Sequence, residues 1–252
     1  MRASFSTRLA RKLGPFLPAR PQAVRWPGGI VSFTFDDFPK TAFTVGGAIL
    51  EAQGARGTYY TALGLAETEG ALGRMFDRGD VWAARERGHE IGCHTFHHLD
   101  CSRIATRKIL AEIAENAAAA QGIVPDYALT NFAFPYGGIS LSSKRALAHR
   151  FSSCRGIGHG VNAGTADFAD LRANPVQDLP GESDSFRRLI DEARATDGWL
   201  IFYTHDVSLS PSPFGCTPKQ LEAVVAHAVT SAAVLTVRDA IAGLGSPRPL
   251  SS

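Results

Sequence analysis

Along the chain, runs in which nearly every residue is apolar or β-branched alternate with stretches whose apolar residues recur every three or four positions. The runs predict strands at Ile30–Phe35, Thr58–Thr61, Glu90–Cys93, Asn131–Phe134, Ser152–Ile157, Pro175–Leu179, Leu200–Thr204 and Val234–Val237. Several are apolar almost throughout, as expected of parallel strands covered on both faces. The periodic stretches predict helices at Ala42–Gln53, Val81–Arg87, Ile104–Ala120, Ser143–Arg150, Asp184–Ala195 and Pro218–Ser231. The last of these has Thr217 at its N-cap and Pro218 at its first helical position. Seven or eight strand–helix units imply an α/β protein, either a closed parallel barrel or a doubly wound sheet. Nothing after Ile30 has the composition of a linker, so a single domain is expected over 29–244, with a basic extension at 1–28 and a disordered Pro- and Ser-rich tail at 245–252.

In a parallel barrel the C-terminal ends of the strands converge on one face, where active sites sit. The residues expected there are rich in carboxylates and imidazoles. Asp36 and Asp37 follow the first strand and "CHTFHHLD" the third, while "FPYGG", "CRGIGHG" and "THD" follow later ones. His94 and His98, four apart, can face one side of a turn; with one aspartate they make a two-His, one-carboxylate metal site that leaves positions open. His97 competes with His98 at a spacing of three, and His89 lies at the wrong end of its strand. The three tryptophans, Trp26, Trp82 and Trp199, are expected in the core rather than as sugar-stacking platforms.

"TFDD", "HTFHH", "FPYG" and "YTHD" occur in the order and approximate spacing of the polysaccharide deacetylase family (the NodB-like carbohydrate esterases), which the chain resembles from about residue 30 to about residue 239. The resemblance implies a distorted (β/α) barrel of seven or eight parallel strands. It also implies hydrolysis of an N-acetyl or other N-acyl group on an amino sugar of a poly- or oligosaccharide. Asp36 matches the general base and Asp37, His94 and His98 the metal ligands, with a metal-bound water as nucleophile. Two free carboxylates this close repel one another; a cation held by the second relieves that and leaves the first free to take a proton. The metal expected is Zn²⁺, with Co²⁺, Ni²⁺ or Mn²⁺ suited to the same ligands. The Tyr136 backbone N–H matches the oxyanion donor within a substrate-binding Pro135–Tyr136–Gly137 turn, and His205 matches the acid that protonates the departing amine.

The match breaks in two places. The family's third motif carries an arginine two positions before its proline, where it orients the base; here that position is Ala133. Arg155, at the end of the next predicted strand, is the candidate replacement. The pair that usually lines the acetyl pocket near residues 152–162 is also missing, and Tyr203 stands where that pocket has a leucine. Two alternatives stay open: a carbohydrate-binding or regulatory protein on a decayed deacetylase scaffold, and a non-haem iron oxygenase built on the same triad.

Composition changes this picture little. The chain has 252 residues and a net charge of +2, too small to argue for a nucleic-acid partner. The charge is uneven: Arg2, Arg8, Arg11, Lys12, Arg20 and Arg25 precede the first acid, Asp36. The head could form a short basic amphipathic helix through Phe5, Leu9 and Leu13, suited to peripheral contact with an anionic membrane. It lacks the apolar run of a secretory signal, so a cytoplasmic location, with or without peripheral membrane contact, is expected. The four cysteines have no zinc-knuckle spacing and read as reduced and structural.

Overall fold

In the strand Ile30–Asp36 (β1) every residue is buried, yet its two faces differ in chemistry. Val31, Phe33 and Phe35 join the main apolar core, while Ser32, Thr34 and Asp36 alternate with them and share the opposite face. The same alternation recurs on Thr58–Thr61 (β2), Glu90–Cys93 (β3), Asn131–Ala133 (β4) and Ser153–Arg155 (β5). The computed structural model, which describes residues 17–177 and 182–244, adds Asn174–Pro175 (β6), Trp199–Thr204 (β7) and Ala233–Val234 (β8). The strand order is β6-β7-β1-β2-β3-β4-β5, and β8 pairs with the first two residues of β1. All eight are parallel. The sheet curls until one segment spans its two edges: Leu171 bridges Arg155 of β5, and three residues later β6 pairs with Phe202 and Tyr203. The result is the distorted barrel expected, with the polar faces inside and helices outside.

The inner faces form layers. At the N-terminal end, Thr58 and Asn131 donate to the buried Glu90 carboxylate, at 2.8 and 2.5 Å, and Ser153 donates to Asn131 at 2.9 Å. This floor is closed by the helix Val237–Leu244, whose Arg238 N–H donates to Glu90 at 2.8 Å. Above it lies the Tyr60 ring, which fits because position 92 is glycine: a Cβ there would sit 2.6 Å from the ring. The upper layer holds Asp36 and Arg155.

The helices follow the predicted periods, with shifted ends. Arg78–Glu86 (α1) begins three residues early, because Asp77 and Asp80 form a reciprocal capping box. Thr106–Gln121 (α2), Leu141–Leu147 (α3), Glu182–Ala195 (α4) and Pro218–Ser231 (α5) match their predictions to within three residues at either end, and α5 has the Thr217 cap. The predicted helix Ala42–Gln53 divides into a π-helical turn, Ala42–Gly47, and the α-helix Ala48–Ala52. The predicted strand Val234–Val237 stops at Val234. Thr236 accepts from the Asp239 N–H through Oγ1, at 3.2 Å, and so starts a helix instead.

Of the basic extension, residues 17–28 are built into the fold. Pro21–Val24 pairs antiparallel with Gly164–Asp167, and the Arg20 guanidinium donates to the carbonyls of Ala148, Phe151 and Ser152. The amphipathic helix expected through Phe5, Leu9 and Leu13, the tail 245–252 and the last two residues of the predicted strand Pro175–Leu179 lie outside the described residues. No helix among the described residues is long and apolar enough to cross a membrane, and all four cysteines are buried and outside any disulfide.

Candidate active site

On a regular strand Asp36 and Asp37 would point to opposite faces. The strand ends at Asp36, however, and Asp37 and Phe38 take left-handed conformations with φ of 61° and 60°. Each costs roughly 1–2 kcal/mol in a non-glycine residue. The Phe38 ring offsets this: it is fully buried, with its centroid 4.5 Å from that of Tyr59 and 5.1 Å from that of Phe76. This buried anchor turns the chain so that both carboxylates line one cavity of about 540 Å³. Thr95, His98 and Tyr136 also have positive φ. Such backbone strain persists only where the surrounding structure enforces it.

Asp37, His94 and His98 each offer a ligand atom, all within 4.8 Å of one another. His94 Nε2 lies 3.6 Å and His98 Nε2 3.1 Å from Asp37 Oδ1. That oxygen is buried and has no hydrogen-bond partner, a costly state for a carboxylate unless a cation meets it. The Nδ1 of His94 lies 2.8 Å from the Ala133 carbonyl; donating there, it turns the Nε2 lone pair towards Asp37. Burial pushes the His94 pKa down to about 4, only partly offset by Asp36 and Asp37, and lowers that of His98 as well. Both rings are thereby kept neutral, the form that ligates a metal. The donor set fits a divalent cation with open positions. A second group, His97, Glu112 and Glu115, lies towards the surface. There Glu112 already accepts from the His97 N–H at 2.9 Å and pairs with Lys108 at 2.8 Å.

Asp36 is bound from across the barrel interior. Arg155, fully buried, places Nη2 2.5 Å from both Asp36 oxygens and donates through Nη1 to the Gly156 carbonyl at 2.9 Å. Its guanidinium lies 5.1 Å from the Tyr60 ring centroid and 5.0 Å from that of Tyr203. Burial raises the Asp36 carboxyl pKa, but Arg155, helped by His94 and His205, more than offsets this and holds it below the ordinary value. Arg155 is the register partner of Ala133 on the adjacent strand. The guanidinium missing from one position therefore enters the same layer from the next.

His205 places Nε2 3.9 Å from Asp37 Oδ2, with Nδ1 3.2 Å from the Phe214 carbonyl. Tyr136 is the second residue of the 3-10 turn Pro135–Gly137, so its N–H precedes the turn's own hydrogen bonds. Its ring lies 4.3 Å from that of His98. Gly137 and Tyr203 line the cavity; Pro135 is buried and does not. His97 is exposed, and His89 binds the Gly57 N–H and Glu51 well away from the site. Ala71, Leu72, Ile157, Gln177 and Phe214 also line the cavity. Ala71, Leu72 and Phe214 come from loops without regular periodicity, which leaves no signal in the chain, while Ile157 and Gln177 lie beyond Arg155 and Pro175, where the strands predicted to include them end. Of the tryptophans, Trp199 is fully buried, Trp82 is 47% exposed, and none lines the cavity.

The family profile described as polysaccharide deacetylase matches residues 23–150, about half of the chain. The chain belongs to the polysaccharide deacetylase family. That makes it a hydrolase of the deacetylase class. No curated protein matches. Among solved structures, a family 4 acetyl xylan esterase from Clostridium thermocellum in complex with a cobalt ion is similar, at 20% identity and a TM-score of 0.62, over 86% of this chain and 93% of that one. A chitin deacetylase from the fungal pathogen Colletotrichum lindemuthianum matches at 17% and 0.62, over 89% and 92%. A putative polysaccharide deacetylase from Mycobacterium smegmatis matches at 17% and 0.63, over 94% and 98%. At these identities the likeness is one of fold. The profile match ends before Arg155 and His205, so their placement rests on the geometry above.

Proposed function

We propose that this deacetylase-family chain is a divalent-metal-dependent hydrolase that removes an N-acetyl or other N-acyl group from an amino sugar in an oligo- or polysaccharide. The observation that carries the reading is the division of labour around the adjacent aspartates: Asp36 is held by Arg155, while Asp37 faces two neutral imidazoles with an unpartnered oxygen. Asp37, His94 and His98 would hold the cation; Zn²⁺ suits this donor set best, and Co²⁺, Ni²⁺ and Mn²⁺ fit it too. When bound, such a cation acidifies water and polarises a carbonyl.

The protein's own groups supply the rest. Asp36, kept ionised by Arg155, accepts a proton from the attacking water. The Tyr136 N–H donates to the oxygen that becomes negative as the carbonyl carbon turns tetrahedral; such a donor is worth about 3–4 kcal/mol. His205, oriented by the Phe214 carbonyl, gives a proton to the nitrogen as the C–N bond breaks, releasing a free amine and a carboxylate. An iron oxygenase on the same triad usually has a β-rich fold, whereas every barrel strand here is parallel.

Acetate release from N-acetylated chitooligosaccharides, measured on chelator-stripped protein reloaded with Zn²⁺, tests the reading. Restoration by the metal is expected in wild type and not in Asp36→Asn or His98→Ala. A wild type that binds no divalent metal would leave the decayed-scaffold alternative in its place.

A further inference from the structure

Phe214 is 54% exposed, on a cavity wall, in a chain that buries most of its large apolar side chains. Its surroundings fix it there. The segment after β7 doubles back on Asp206, which is 5% exposed. The Asp206 carboxylate accepts from the Ser212 N–H at 2.8 Å and from the Ser212 hydroxyl, and its carbonyl accepts from the Cys216 N–H at 3.0 Å. Ser212 Oγ in turn accepts from the Phe214 N–H at 3.2 Å. Position 215 must be glycine for this knot to close, because a Cβ would lie 2.4 Å from the Asp206 oxygens.

The knot fixes two parts of one residue. The Phe214 carbonyl meets His205 Nδ1 at 3.2 Å, and the Phe214 ring centroid lies 5.6 Å from that of His205. His205 marks the side of the site where the leaving amine sits, so the ring borders the sugar that carries that nitrogen. Among the described residues the cavity wall has no lysine or arginine, and its only carboxylates are Asp36 and Asp37. A negatively charged sugar would face these two acids with no exposed cation among the described wall residues. An uncharged pyranose would present its C–H face to an exposed aromatic ring, the kind of surface that apolar and C–H groups cover favourably.

We propose that Phe214 is the platform on which a neutral pyranose residue stacks, and that the Asp206–Ser212 knot is the positioning device that aims both this ring and His205. The proposal rests on the hydrolytic reading only for which sugar lies there.

The test uses the full, metal-loaded chain. Chitotetraose binding is measured by calorimetry in the Asp36→Asn background, where turnover is blocked, with and without Phe214→Ala or Phe214→Trp. Phe214→Ala should weaken binding about 10-fold, equal to about 1.4 kcal/mol, and Phe214→Trp should restore it. In the active chain the Phe214→Ala loss should fall mainly on KM. Ser212→Ala should raise KM and also lower kcat, since the Phe214 carbonyl then no longer aims His205. An oligogalacturonate should bind at least 10-fold more weakly than chitotetraose. Unchanged affinity in Phe214→Ala, or a loss that Phe214→Trp does not restore, overturns the platform, as does a parent protein that binds no saccharide. Phe214-dependent binding without acetate release by the active chain would refute the hydrolytic reading and keep the platform. Acetate release indifferent to Phe214 would do the reverse.

Discussion

Replacing Arg155 by Met isolates what the buried pair at Asp36 contributes. The guanidinium is 1% exposed and the Asp36 carboxylate 8%, so the substitution leaves a carboxylate in the barrel interior facing the second acid, Asp37. Breaking a buried pair on one side costs about 3–5 kcal/mol, whereas removing both partners is often close to neutral. For a chain of this size 1 kcal/mol shifts Tm by about 2 °C, so Arg155→Met should melt about 6–10 °C below wild type. The double variant Asp36→Asn/Arg155→Met should recover at least half of that loss. Thermal unfolding followed by circular dichroism, on chelator-treated protein so that no cation compensates the aspartates, reads both numbers. Acetate release should fall by about 10²-fold or more in the single variant, the range expected when a general base is misplaced. The double variant should be as inactive despite its recovered stability. A single variant melting within 2 °C of wild type, or a double variant no more stable than the single, would refute the view that Arg155 compensates a buried Asp36.

Other outcomes follow from the same geometry. Phe38→Ala should cost about 3–5 kcal/mol by chemical denaturation and weaken metal binding in a competition assay, because the buried ring holds the left-handed turn at Asp37. Chelation should lower Tm in a scanning measurement, since a cation at 1,000 times its Kd stabilises by about 4 kcal/mol; His98→Ala should abolish that difference. Burial raises the Glu90 carboxyl pKa above its usual 4.5, despite hydrogen bonds from Asn131, Arg238 and Thr58. The folded state therefore holds this proton more tightly than the unfolded one. Glu90 contributes most below pH 4.5, and its contribution is lost as pH rises through the folded value. Glu90→Gln should gain on wild type as pH rises, and a stability gap that is flat or closes with pH would contradict this.

The parts of the fold that were legible in the chain are those whose burial is dictated locally. Strands β1 and β7 must be covered on both faces, so their apolar runs announce them, and Thr217 and Pro218 mark a helix start by local chemistry. What was not legible depends on partners far along the chain. Pro21–Val24 reads as a basic extension until it meets Gly164–Asp167, and Thr236 reads as part of a strand until it caps a helix. The acids and imidazoles of the site stood out because strand ends concentrate them. The apolar rim did not: Leu72 and Phe214 read as ordinary loop residues, and Ile157 as the end of a strand, until the fold sets them around one opening. Arg155 lay between these extremes, suspected only because Ala133 left a carboxylate without its expected partner.

That Ala133 and Arg155 share one rung of the β4–β5 ladder has an evolutionary corollary. The upper layer sets one positive charge against Asp36, and position 133 lies on the same rung as the residue that supplies it. A lineage could move between the two positions one substitution at a time by first carrying both arginines. The doubled intermediate would crowd two cations around one acid, but it would never pass through a buried, uncompensated carboxylate. The direct loss of one arginine before the other is gained crosses that more costly state. Introducing Arg at position 133 in the Arg155→Ala background would retrace the route in reverse and should restore part of the lost turnover. Read in linear order, the alanine at 133 looks like loss; viewed down the barrel axis, the guanidinium of Arg155 stands on the same rung.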